Sequence, residues 1–191
     1  MIGNWELYGL SEAELHYTLA DAHLQAALVL ATALRSATYP QTFSNAKVIM
    51  SLHHHAAELC LKYALSRAGE EVPTHHHLRD LWHRYSLAYA DPEFDFYPPF
   101  VTAFMGHTAD QITQAIKEES ERETRNKMDQ EMRYHTDRDG SVWPGAHGVI
   151  PDTYPDEIAR LRDRVHILHE LIEKRMANKC VAATVLPGRQ N

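Results

Sequence analysis

Apolar residues recur at three- and four-residue steps along most of this chain, and the runs are bracketed by residues that start or stop helices. Ser11-Glu12-Ala13-Glu14 is a capping box, in which the serine accepts a backbone N–H and Glu14 reaches back. Leu15, Leu19, Ala22, Ala26, Leu30 and Leu34 then predict a first helix to about Arg35, and Tyr39-Pro40 closes that region. Ser44 or Asn45 is the expected cap of a second helix reaching Ala68, with Gly69 at the left-handed position beyond its end. Thr74 is the expected cap of a third helix carrying Leu78, Leu81, Trp82, Tyr85 and Tyr89, which Asp91-Pro92 breaks.

Pro98-Pro99 opens a fourth helix, apolar at Phe100, Phe104, Ile112 and Ile116 and charged from Lys117 to Glu131. Residues 136–153 hold Gly140, Pro144, Gly145, Gly148 and Pro151 and read as a long loop. Pro155-Asp156-Glu157 starts a fifth helix, with Ile158, Leu161, Val165, Leu168 and Ile172 on one face and an end near Asn178. No strand pattern intervenes. The expected fold class is all-α, an up-and-down bundle of about five helices, forming one domain over residues 1–178 with a loosely ordered tail over 179–191.

Composition narrows the function classes. The 191 residues are 44% hydrophobic and 24% charged, a globular balance. The formal charge of −7 disfavours a general nucleic-acid coat, which needs a basic face, but leaves room for a local cleft that grips phosphate. No apolar run reaches the roughly 18 residues that suggest a membrane span, and the first residues lack the basic start and apolar core of a signal peptide. Two cysteines, Cys60 and Cys180, do not make a disulfide framework, and a reducing cytoplasm is the expected location.

Familiar catalytic signatures are missing: no glycine-rich dinucleotide or phosphate loop, no Gly-x-Ser-x-Gly elbow, no Cys-x-x-Cys pair. Four constellations remain. On the second helix, His53 falls on the apolar stripe of Ile49, Ala57 and Cys60 and reads as a hydrogen-bonded core histidine. His55, Glu58 and Lys62 form a polar stripe. It is read either as an ion pair on a solvated face or as a cleft in which Glu58 orients an arginine. His76 and His83, seven apart, could join His54 or His55 in holding a metal ion, because imidazole suits Zn²⁺ and Ni²⁺.

Arg133, Tyr134, His135, Asp137 and Trp143 gather a guanidinium fork, aromatic faces for a base, and a proton-carrying imidazole. The fourth set is Arg160, Arg162, Arg164, His166 and His169 on the last helix, where Arg164 precedes His169 by four intervening residues; with Asp163, Glu170 and Glu173 interspersed it reads first as a solvated helix surface.

Three blocks together resemble the HEPN family, small helical domains named for higher eukaryotes and prokaryotes nucleotide-binding. His55-Ala56-Ala57-Glu58-Leu59-Cys60-Leu61-Lys62 resembles its Gln-Ala-Ala-Glu-x-x-Leu-Lys helix, with His for Gln. Pro73-Thr74-His75-His76-His77-Leu78 resembles its Pro-x-Thr-His-Asp-Leu segment. Arg133-Tyr134 followed by Asp137 and Gly140 resembles its Arg-Tyr-Pro turn, with His135 for Pro.

The resemblance implies a homodimeric HEPN-like bundle that binds RNA or a nucleotide through Arg133, Tyr134, Asp137, Glu58 and Trp143. It also implies a place in a toxin–antitoxin or defence system, with a cognate antitoxin or a nucleotidyltransferase as partner, and no cofactor. Many members are metal-independent endoribonucleases that use an Arg, four to six intervening residues, and a His. Here only Tyr134 separates Arg133 from His135, and Gln130 stands where the motif begun by Arg125-Asn126 would need a His, so the catalytic motif reads as degenerate. Were the chain an endoribonuclease, Arg133 with His135, or Arg164 with His169, would carry it. A bundle binding metal through His54, His55, His76 and His83 is the remaining alternative.

Overall fold

The structure is a computed structural model that describes residues 3–99 and 149–184, with side chains to residue 179. Among these residues all regular structure is helical: α1 (Glu12–Arg35), α2 (Phe43–Ala68), α3 (Leu78–Ala88) and α4 (Tyr154–Thr184), with short 3₁₀ turns at Trp5–Leu7 and Pro92–Phe94. The expected fourth helix beyond Pro99, with its Lys117–Glu131 stretch, and most of the expected loop lie outside the described residues, as do Arg133, Tyr134, His135, Asp137 and Trp143.

The capping box is present as expected: the Ser11 hydroxyl accepts from the Glu14 N–H at 3.3 Å, and the Ser11 N–H donates to the Glu14 carboxylate at 2.7 Å. Gly69 ends α2 with φ 83°, a left-handed conformation that side chains with a Cβ resist. Two expected caps move. Thr42, rather than Ser44 or Asn45, caps α2 by accepting from the Asn45 N–H at 3.3 Å, so the helix starts earlier than expected, at Phe43. The position before α3 is His77, not Thr74, and residues 73–77 cross from α2 to α3 without helical structure. His76 is therefore outside the helix that carries His83, and the seven-residue spacing does not put them on one face.

α1 and α2 are antiparallel neighbours: Glu14 faces Arg67 at one end, and His23 meets His55 farther along. α4 lies against both, antiparallel to α1, with Arg35 facing Asp156 and Asp21 facing Arg162. The described helices bear out the all-α class expected from the sequence. α2 is the central element and is buried on most of its circumference, Ile49, Leu61 and Leu65 fully so. α3 covers its other flank, where the Tyr89 hydroxyl donates to the carbonyl of Ala64 at 2.9 Å.

The inner face of α1 differs from the expected one. Its buried stripe is Ala13, Ala20, Leu24, Ala27, Ala31 and Leu34, whereas Leu19 is 37% exposed and Ala22 and Ala26 face solvent. The alanines explain the shift: small side chains let the two long helices approach closely, so burial follows fit rather than residue size. On α4 the expected stripe is the buried one, with Ile158, Leu161, Val165, Leu168 and Ile172 all in the core. That helix continues past Asn178 to Thr184, six residues into the segment expected as tail.

Candidate functional site: two polar seams on either side of α1

Lys62, Glu58 and His55 follow one another at four- and three-residue steps along α2, so they share a face. That face is not solvated. The Glu58 side chain is 1% exposed and Lys62 9%, which excludes the solvated-face reading of the stripe. Lys62 Nζ lies 3.0 Å from Glu58 Oε1, and His76 Nδ1 approaches the same oxygen at 2.7 Å. His55 Nδ1 lies 3.3 Å from Glu58 Oε2. Burial alone opposes the charge on Glu58, but hydrogen bonds from His55, His76 and Lys62 outweigh it and hold the carboxyl well below the usual carboxylate range. Two imidazoles and an ammonium, in place of the arginine expected from the sequence, are the groups that hold Glu58 in its ionised form.

An ionised carboxylate can only accept hydrogen bonds, so both imidazoles present Nδ1–H to it. The two rings are 34% and 40% exposed. Two histidines of α1 extend this seam. His23 donates Nδ1–H to the Leu19 carbonyl at 2.7 Å and meets the His55 ring edge-on at 4.9 Å between centroids. His16, half-buried, is shifted down by desolvation and so favours its neutral form. The seam thus gathers four imidazoles, those of His16, His23, His55 and His76, around one ion pair, and imidazole can both donate and accept hydrogen bonds. His16 and His23 were not singled out from the sequence; their seven-residue spacing, matching His55 to Lys62 on the facing helix, is the signal that identifies them.

The second seam lies between α1 and α4. Asp21 accepts from Arg162 Nε at 2.7 Å and pairs with His166 Nε2 at the same distance. The Arg162 hydrogen bond, joined by His166, pulls the Asp21 carboxyl below its ordinary value. Nearby, the Tyr63 hydroxyl donates to Glu173 Oε1 at 2.9 Å, and Arg67 Nε pairs with the same oxygen at 2.8 Å. His169 Nδ1 lies 2.8 Å from the Tyr63 oxygen. A phenol has one proton, and Tyr63 gives it to Glu173, so His169 must donate Nδ1–H. Its Nε2 is left as an acceptor. The ring stacks on Tyr17 at 3.8 Å and 10°, and desolvation pushes its pKa down, favouring the neutral base.

Arg164 is not brought together with His169. Its guanidinium donates to the backbone carbonyl of Glu93 at 2.8 Å and from Nε to that of Asp95 at 2.7 Å, clamping the segment after α3. Five positions apart, the two residues point about 140° away from each other around the helix.

His53 is the core histidine expected, 3% exposed with Nδ1 3.1 Å from the Tyr154 hydroxyl. The metal alternative fares less well. His54 is buried at 3% exposure, His83 is exposed on α3, and His55 and His76 turn Nδ1 to Glu58. Among the described residues no group of three or more His, Cys, Asp or Glu side chains is placed to hold a metal ion. No helix among them is long and apolar enough to cross a membrane.

Comparison with protein-family models, with curated proteins and with solved structures gives no match.

Proposed function

We propose that the chain is a HEPN-like helical module that acts as a homodimer and binds RNA or a nucleotide, with the Glu58 seam as part of its binding surface. One observation carries the reading. The first two blocks of the resemblance are in direct contact, because Glu58 of the first accepts from His76 of the second at 2.7 Å. The two blocks thereby share one polar cluster, with the Glu58 carboxylate at its centre.

The chemistry suits the ligand class. Imidazole nitrogens held in one tautomer recognise the edges of unstacked bases. In this proposal Arg133, Tyr134, His135, Asp137 and Trp143 complete the surface, and a cognate antitoxin or a nucleotidyltransferase is the protein partner expected by family analogy.

The second reading, a metal-independent endoribonuclease, is favoured by the relay ending at His169. Its Nε2 is suited to take the proton of a ribose 2′-hydroxyl as that oxygen attacks the adjacent phosphorus, the bond to the 5′-oxygen breaks, and the leaving 5′-oxygen takes a proton from solvent water. Incubation of the purified chain with total RNA in EDTA separates the two. A retarded, intact RNA supports the binding module. Cleavage that persists with chelator and disappears in His169→Ala or His135→Ala establishes the nuclease. Neither retardation nor cleavage rejects both.

A further inference from the structure

A recess lies between the turn after α3 and the C-terminal half of α4. It has a volume of about 440 Å³ and is lined by Asp91, Glu93, Phe94, Lys174, Arg175 and Lys179, among others. That is within the range of pockets that hold small molecules. Among the described residues no ion pair joins its five charged side chains, and three of these, Lys174, Arg175 and Lys179, are cations on α4. Arg175 is held in place by stacking, with its guanidinium carbon 5.0 Å from the Tyr89 centroid and 5.4 Å from that of Phe94. One of its terminal nitrogens is buried and has no hydrogen-bond partner among the described residues.

The facing wall is rigid. Arg164 clamps the carbonyls of Glu93 and Asp95, the Tyr85 hydroxyl donates to the Phe94 carbonyl at 2.5 Å, and Trp82 Nε1 donates to the Phe96 carbonyl at 2.6 Å. A stacked arginine opposite a pinned wall is preorganised, so binding an anion there costs little ordering entropy.

We propose that this recess is a site for a phosphorylated small molecule of mononucleotide size. The phosphate sits on Arg175, Lys174 and Lys179, and an N–H donor of the same ligand faces the carboxylates of Asp91 and Glu93. The site is independent of the Glu58 seam and does not rest on the HEPN-like reading.

Isothermal titration of the full chain with inorganic phosphate, adenosine monophosphate and adenosine tests it. Phosphate and the monophosphate bind, the monophosphate more tightly, and adenosine does not. Arg175→Gln and Lys179→Gln each weaken binding about tenfold, the loss of one charge-assisted contact. Lys179 is exposed, so its replacement leaves the core intact even if Arg175→Gln perturbs packing. Arg35→Gln removes an equal charge at the far end of the bundle and leaves binding unchanged. Absence of binding at millimolar phosphate and monophosphate, equal binding of adenosine, or an equal loss in Arg35→Gln would overturn the proposal.

Discussion

The Glu58 carboxylate on α2 lies 2.7 Å from Nδ1 of His76 in the non-helical crossing to α3, so one buried anion ties two separate sequence segments together. The same oxygen is 3.0 Å from the Lys62 ammonium. Removing that carboxylate strands a nearly buried ammonium and unties the crossing. Glu58→Ala is therefore expected to destabilise the chain by about 3–5 kcal/mol, the usual cost of breaking a buried pair from one side. Urea unfolding measures it, and a loss below about 1 kcal/mol would mean the cluster is solvated.

Acid sensitivity starts in the histidines. Burial, helped by the neighbouring His54, takes His53 from 6.5 down to about 4, and His16 and His169 are shifted the same way. Between those values the unfolded chain binds more protons than the folded one, so stability falls as pH drops from about 6.5 to 4. The His53 contribution alone is about 3 kcal/mol, and His53→Phe should lose correspondingly less across that interval in denaturant titrations at several pH values. Glu58 adds a later loss. Its folded pKa lies below the 4.5 of an ordinary glutamate, so its contribution is full above that value and drains as the pH falls further.

The tautomer of His169 is set by Tyr63. Tyr63→Phe deletes the hydroxyl between His169 and Glu173, at a cost of about 1–2 kcal/mol. The variant should also lose the fixed Nδ1–H form, and ¹⁵N spectra of the imidazole report it directly. An unchanged tautomer in the variant would show that the phenol does not orient the ring.

Arg164 acts as a clamp on the backbone of Glu93 and Asp95. Arg164→Ala should cost about 2–3 kcal/mol through loss of hydrogen bonds made by a charged group, and should speed hydrogen exchange around residues 92–97. Exchange unchanged there would refute the clamp.

Much of the architecture could be read from residue order. The Ser11–Glu14 box and the Gly69 stop act locally, and both stand where the pattern places them. The α4 stripe is legible because its core face consists of large branched residues. The inner face of α1 is not, because alanines mark it and only the approach of α2 makes them core. The caps of α2 and α3 were misplaced because several Ser, Thr and Asn residues compete locally, and tertiary packing chooses among them.

The site was legible in part. The Glu58 stripe shows its period in sequence, but its burial depends on α1 and on His76 arriving from outside the helix. The links from Asp21 to Arg162 and from Tyr63 to Glu173 span more than a hundred residues, and no local pattern announces them.

The most direct test follows the imidazole resonances of His55 and His76 while a short single-stranded RNA is added to the full chain. The account predicts that both shift saturably, in step with complex formation, and that His76→Ala weakens the complex about tenfold. An RNA complex that leaves both resonances unmoved, or no complex at all, would contradict it.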